Sequence, residues 1–568
     1  MPLLETFNPG TAISPVLEAH LKHRMYAIIH FGINTFTDQE WGYGDESPEL
    51  FNPTDFDADQ IAQACVDGGL TGLILVCKHH DGFCLWPTKT TPHNISASPF
   101  RNGKGDLVRE VSDACQRHGL GFGIYCSPWD RNNPAYGAPK YLGIYREQLR
   151  ELYTNYGEAF ELWFDGANGG DGYYGGARET RKIDQSTYYD WENTWKIARE
   201  LQPHAAIFSD IGPDLRWVGN EKGLAHPDSS ALFTPTAPTP GKNPAPGYLD
   251  YSHSATGNLD GHYLIPPECD VPLRPGWFYH SDQDNQVRSL PELVNIYLHS
   301  VGCGGFLNHG LAPDRRGRLH ENDVARLKEF RSAVDRLESD PLMTETITLK
   351  THSLVMDFDG QNTFNLLDLA ESPEDLETTR EYCIEAITET GQICPVGQIT
   401  LAKGKAIGLR RLIACAETTA SAVILTLPDL HPNHPLHLTF AIRHVPAELL
   451  EKTPPTEIPP DKAVAMPLPD NAGLVLEWTL PAPATIHGFV FHPDDTHASG
   501  LPHQYIFEAR RQGKWLSLTG GEFSNIQANP LPQKVTFPPM KAEAVRFRAI
   551  RLVDESDRLN CAGFLLLT

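Results

Sequence analysis

From Tyr26 to about Leu337, short β-rich apolar runs alternate with stretches in which apolar residues recur every three or four positions. A parallel strand covered on both faces reads as an unbroken apolar run, and its crossover helix buries one stripe, so this alternation predicts repeated βα units. Strands are expected at Tyr26 to Phe31, Leu73 to Cys77, Gly121 to Cys126, Phe160 to Phe164, Ala205 to Ser209 and Gly304 to Leu307, with two more between Leu215 and Phe278. Helices are expected at Ala58 to Asp67, Leu107 to His118, Gly143 to Tyr156 and Tyr188 to Leu201. The fold class is therefore α/β, a (β/α)8 TIM-like barrel over residues 1–340. Beyond Leu337 the helical period fades, and alternating segments such as Ser353 to Phe358, Phe364 to Leu369, Ala422 to Leu427 and Thr485 to Phe491 predict all-β sandwich modules at 341–450 and 451–568. Proline-rich Glu451 to Asp461 reads as the extended connector between them.

Several apolar runs end in groups suited to chemistry. Glu161-Leu162-Trp163-Phe164-Asp165-Gly166 delivers one carboxylate at a strand terminus, while His30-Phe31-Gly32 and Lys78-His79-His80-Asp81-Gly82 close two earlier runs. In a barrel, strand C-terminal ends form the active-site rim, so these groups should converge. Paired carboxyls suit glycoside hydrolysis, where a retaining enzyme holds nucleophile and acid/base about 5 to 5.5 Å apart. Asp165 fits the nucleophile. Glu221, in Trp217-Val218-Gly219-Asn220-Glu221, lies beside an aromatic and an amide that would raise its pKa, and fits the acid/base. Its rival is Glu268, in Pro266-Pro267-Glu268-Cys269-Asp270, taken as a loop opening to the rim. His30, Glu40, Trp41, His79, His80, Tyr125, Trp129 and Trp277 would line a sugar subsite, polar groups reading hydroxyls and aromatics stacking on C–H faces.

Plainer readings compete. A lone aspartate after a strand commonly caps a helix. Adjacent His79 and His80 on a strand would face opposite ways, leaving one in the core. His79, His80 and Asp81 could serve a metal-dependent hydrolase, yet no second cluster has ligand spacing, so no metal and no cofactor are expected. Gly302-Cys303-Gly304-Gly305 lacks the Lys and Ser/Thr of a phosphate loop.

Composition removes whole classes of function. The 568-residue chain carries a net charge of −25, which disfavours nucleic acid and anionic membranes as partners. With 40% hydrophobic residues, including 10 Trp, 19 Tyr and 25 Phe, it has ample surface to bury and should be globular throughout. No run reaches the roughly 20 apolar residues of a membrane span, and Met1-Pro2-Leu3-Leu4-Glu5 lacks a signal-peptide pattern, so a soluble protein is expected, cytoplasmic as written and secreted or periplasmic if a signal was removed. The 11 cysteines are odd in number and scattered, which argues against a disulfide framework.

Taken together, Met25 to Phe36, Glu40-Trp41, Lys78 to Trp86, Tyr125 to Asp130, Glu161 to Gly166, Arg274 to His280 and Ser300 to Leu319 resemble the α-L-fucosidases of glycoside hydrolase family 29. The resemblance implies a retaining exo-fucosidase acting on fucosylated oligosaccharides or glycoconjugates, with Asp165 as nucleophile and His30, Glu40, His79 and His80 holding fucose. The Trp217 to Glu221 segment resembles the subgroup acting on branched α-1,3/1,4-linked fucose of Lewis type, in which the matching Glu is the acid/base. Gly304-Gly305-Phe306-Leu307-Asn308-His309 departs from the family's usual Asn-Gly-Asn-Leu-Leu-Leu-Asn run. Phe364 to Glu371 and Lys403 to Leu412 resemble a galactose-binding-like sandwich, and Leu474 to Phe491 with Ala544 to Leu552 a discoidin-like one. The competing class is a non-catalytic fucose-binding lectin-like protein, which the presence of both carboxyls argues against.

Overall fold

The computed structural model describes residues 2–388, 397–430, 435–450, 463–468, 473–494, 499–523, 526–527, 530, 532–554 and 556–568. Eight parallel strands close into a barrel in sequential order: β1 Met25–Ile29, β2 Gly72–Lys78, β3 Gly121–Cys126, β4 Ala159–Trp163, β5 Ala206–Ser209, β6 Leu215–Trp217, β7 Pro267–Pro272 and β8 Phe306–Leu311. Closure is made by β8 pairing with β1, Leu307 opposite Met25.

Helices cover the barrel unevenly. Those after β1 to β4 are α1 Ala58–Asp67, α2 Leu107–His118, α3 Pro139–Asn155 and α4 Trp191–Leu201, and α5 Leu290–His299 and α6 Glu321–Glu338 follow β7 and β8. α1 and α2 start where an aspartate caps the first turn, Asp57 accepting from Gln60 N (2.9 Å) and Asp106 from Arg109 N (3.0 Å). The β5–β6 and β6–β7 connections contain no α-helix, which corrects a strict eightfold βα repeat. The second is a long irregular segment, 218–266, whose Gly247 and Tyr251 meet Asp210 just past the C-terminal end of β5.

The barrel is floored by Phe160. A side chain at Gly72, Gly121 or Gly123 would place its Cβ 2.7–2.9 Å from that ring, so three neighbouring strand positions are glycine to admit one aromatic. β8 starts at Phe306 rather than Gly304, because Gly304 takes a left-handed φ of +79° to close the preceding turn.

Two compact units divide the chain, 1–455 and 456–568. The first also contains an antiparallel sheet ordered Met343–Leu349, Leu436–Arg443, Ser353–Glu371, Arg411–Thr426, Tyr382–Thr388 and Gly397–Gly404. Ser353 to Phe358 and Phe364 to Leu369 are two arms of one strand, separated by an irregularity between Asp357 and Asn362. Leu366, Leu412, Val445 and Leu449 belong to the same hydrophobic core as Phe330 and Leu337 of α6, so this sheet and the barrel share an interior. The second unit is a six-stranded antiparallel sheet around its own core of Phe489, Phe507, Phe547 and Phe564. The predicted connector Glu451 to Asp461 lies outside the described residues. Among the described residues no helix is long and apolar enough to cross a membrane, and the ten described cysteines are free, seven of them buried.

Candidate active site

Asp165 stands just past β4, where Phe164 N still pairs with Phe208 O at 3.0 Å. Its Oδ2 accepts from the Tyr125 hydroxyl (2.8 Å), and its Oδ1 accepts from Ala167 N (2.6 Å). No helix begins there, so the capping alternative is set aside: the bond to Ala167 closes a local turn instead. The side chain remains 21% exposed and faces His80 Nε2 at 3.9 Å. Burial raises its pKa above the usual carboxylate value, while the bonds from Ala167 and Tyr125 pull it back.

Glu221 lies in the loop after β6 and is 9% exposed. Trp277 Nε1 donates to its Oε2 at 3.0 Å. Burial pushes its pKa up to about 8; the Trp277 bond opposes this, and the charges of Asp165 and Glu40 add to it. The aromatic that bonds Glu221 is thus Trp277, from the loop after the adjacent strand β7, while the sequence-adjacent Trp217 donates its Nε1 to Asp270 Oδ1 (2.6 Å). Asn220 does not serve Glu221 either: it accepts from Lys222 N (3.0 Å) and donates to Leu224 O (2.9 Å), holding the turn.

Glu268 is not in a loop. It sits on β7, fully buried in the barrel interior, where it accepts from Tyr26 OH (2.6 Å), Trp163 Nε1 (2.8 Å) and Asn308 Nδ2 (2.8 Å). The apolar spacing of β7 is broken by buried carboxyls at 268 and 270, so its sequence carries the signature of a loop although all six positions are buried strand. Burial and the nearby Glu268 hold Glu161 well above the ordinary carboxyl range. The Glu268 carboxylate thus works below the rim, tying strands together.

The imidazoles converge. β2 ends at Lys78, and a turn closed by Gly82 N to His79 O (3.1 Å) brings His79 and His80 to ring centroids 4.1 Å apart, correcting the expectation of opposite faces. His80 Nδ1 is 2.7 Å from Ser127 Oγ. His30, just beyond β1, packs 5.0 Å from Trp277 and 5.7 Å from His79. Its buried Nδ1 has no hydrogen-bond partner among the described residues, and burial lowers its pKa to about 3, so it is a neutral imidazole. Trp41 meets Trp129 (5.6 Å) and His80 (5.1 Å) edge-on, and Trp129 Nε1 donates to Tyr174 OH (3.0 Å). Glu40 is engaged by Trp277 N (2.8 Å), Phe278 N (3.1 Å) and His280 Nε2 (2.8 Å). Among the described residues no group of three His, Cys, Asp or Glu side chains has metal-site geometry, and Asp81 turns to Phe83 N (2.7 Å).

Sequence reading missed two carboxyls beside this set. Asp210, just past β5, accepts from Tyr251 OH (2.6 Å) and Gly247 N (2.9 Å), joining the β6–β7 segment to the rim. A Cβ on Gly166 would lie 2.4 Å from Asp210 Oδ2, so glycine after Asp165 is what lets the two loops meet. Asp270 and its partner Trp217 are the second pair. A strand-terminal position was the available signal for Asp210; nothing local marked Asp270.

Residues 17–334 match the family model for alpha-L-fucosidase, covering the whole barrel. The chain belongs to the alpha-L-fucosidase family. Over 308 residues it is 42% identical to Alpha-L-fucosidase 1 of Arabidopsis thaliana, covering 54% of this chain and 57% of that relative. It is 31% identical over 305 residues to human plasma alpha-L-fucosidase, covering 51% and 56%. The chain thus spans somewhat more than half the length of these curated relatives. A crystal structure of a glycoside hydrolase 29 family member from an unknown rumen bacterium is 35% identical and superposes with a TM-score of 0.70, covering 98% of this chain and 99% of that one. The likeness to that structure therefore extends through the C-terminal sheets.

Proposed function

We propose that this chain is a retaining exo-α-L-fucosidase that releases α-1,3/1,4-linked fucose from branched, Lewis-type oligosaccharides or glycoconjugates. Asp165 attacks the anomeric carbon while Glu221 protonates the departing glycosidic oxygen. Glu221 then takes a proton from water, which displaces Asp165 from the fucosyl-enzyme with net retention. The observation that carries this reading is the run of contacts that puts both carboxyls on one rim: Asp165 faces His80 at 3.9 Å, His80 packs on His79, His79 on His30 and His30 on Trp277, whose indole donates to Glu221 at 3.0 Å. His30, His79, His80, Glu40 and the Trp41, Trp129 and Trp277 indoles are the fucose subsite in this reading. The resemblance of Trp217 to Glu221 to the branched-substrate subgroup supports the linkage. The modules 341–450 and 451–568 are proposed as galactose-binding-like and discoidin-like.

The test is fucose release from a Lewis trisaccharide by the wild type, Asp165→Ala and Glu221→Ala. Loss of the nucleophile should cost about 10⁴-fold or more in rate. Loss of the acid/base should cost about 10²- to 10⁴-fold, with partial recovery in azide. Full activity in Asp165→Ala would end the assignment, and azide recovery of Glu268→Ala in place of Glu221→Ala would move the acid role.

A further inference from the structure

The segment that carries Trp277 to Glu221 is itself held by a relay that neither the catalytic pair nor the sugar subsite explains. Glu40 seats its carboxylate on the backbone N–H groups of Trp277 and Phe278, at 2.8 and 3.1 Å. The approach is so close that a Cβ on Gly276 would lie 2.3 Å from Glu40 Oε1. His280 Nε2 lies 2.8 Å from the same Oε1, and His280 Nδ1 lies 2.9 Å from Asp38 Oδ1. An imidazole with a carboxylate on each nitrogen must carry both protons, so this is an imidazolium.

We infer that His280 is a positioning residue for the general acid: with Asp38 it clamps Glu40 onto the 276–280 segment and so holds the Trp277 indole on Glu221. The inference rests on Glu221 being the acid/base. Burial works against the charge on His280, yet the bonds and charges of Asp38 and Glu40 outweigh it and hold its pKa at about 10. Arg315 is the other charge acting on Asp38, and Asp165, Glu40 and Asp270 are the acids around Glu221. Within that anionic surrounding, the Trp277 N–H is the contact that favours ionised Glu221. Loosening the clamp misaims the acid and lets its pKa rise.

The experiment uses the full chain and two substrates sharing one fucose: a Lewis trisaccharide, whose leaving group needs a proton, and α-L-fucosyl fluoride, whose fluoride leaves with little help. Any change in fucose binding through Glu40 cancels in the ratio of their kcat/KM values. His280→Ala should lower the trisaccharide-to-fluoride ratio about tenfold and move the basic limb of trisaccharide kcat/KM to higher pH, as general-acid catalysis requires. His280→Gln, which keeps an N–H for Glu40, should recover part of the ratio. Trp277→Phe should lower the ratio while leaving the clamp in place, and Asp38→Asn, at a 58% exposed side chain, should give a milder form of the same change even if His280→Ala does not fold. A wild-type ratio and pH limb in folded His280→Ala, or in both Trp277→Phe and Asp38→Asn, would overturn the inference while leaving the fucosidase reading intact. A wild type that turns over neither substrate would remove the fucosidase reading, and the inference with it.

Discussion

Glu221 is a buried carboxyl whose usefulness has a cost in stability. Its folded pKa of about 8 exceeds the ordinary 4.5, so below pH 4.5 both folded and unfolded chains hold the proton and the group is neutral to folding. Between pH 4.5 and 8 the unfolded chain gives up that proton before the folded one does, and the fold loses stability as pH rises. Glu221→Gln should therefore melt higher than wild type, by a margin that grows from pH 4.5 to 8 and amounts to about 1–3 kcal/mol at the alkaline end. A margin independent of pH, measured by thermal melts across that range, would show that the carboxyl is not held protonated. The same pKa sets an activity limit: turnover should fall as pH rises past about 8, when the acid loses its proton. At this scale the sequence was informative where chemistry sits at a strand end, as for Asp165, His30 and His79. It is silent about partners brought in from distant segments, as Trp277 is to Glu221 from 56 residues away.

At the scale of elements, β7 is the instructive strand. Its inward positions carry Glu268 and Asp270, whose charges mask the apolar run by which buried strands are recognised, and only the closed barrel shows that donors from β1, β4 and β8 meet Glu268 there. Glu268→Ala would strand the hydroxyl of Tyr26, the indole N–H of Trp163 and the amide of Asn308 without an acceptor. Denaturant unfolding should register a loss of about 3–5 kcal/mol, and azide should restore no activity, since no acid has been removed from the rim. A stable variant rescued by azide would instead make Glu268 the acid/base. The first five strands were legible to within two residues at either end, and α1 and α2 to the residue, an aspartate capping each start; β8 instead runs four residues past the expected Leu307, to Leu311, because Asn308 and His309 interrupt its apolar run. The helix-free β5–β6 and β6–β7 links carry no periodicity to read, and their path depends on contacts such as Asp210 with Tyr251, which no local pattern encodes.

Across the whole molecule, every member of the proposed site lies in the first unit, and that unit includes the 343–443 sheet as well as the barrel. Ser230 Oγ and Ala231 N of the β6–β7 segment donate to Glu377 at 2.6 and 2.8 Å, and Arg410 pairs with Glu338 (2.6 Å) at the end of α6. A chain ending after residue 455 should keep fucose release and a cooperative melt, whereas one ending after residue 340 would lose Leu366 and Leu412, bare the Phe330 and Leu337 core they share, and should aggregate or unfold, as solubility and circular dichroism would report. The composition pointed to several domains, but not to how much core the barrel and the first sheet share, since that depends on long-range burial. The most direct test of the catalytic pair is to treat the protein with 2-deoxy-2-fluoro-α-L-fucosyl fluoride, which slows release of a glycosyl-enzyme, and to sequence the labelled peptide by mass spectrometry. A 2-fluorofucosyl group on Asp165 is the predicted result; a label on another residue, or no adduct together with a first-formed product of inverted configuration, would contradict the account.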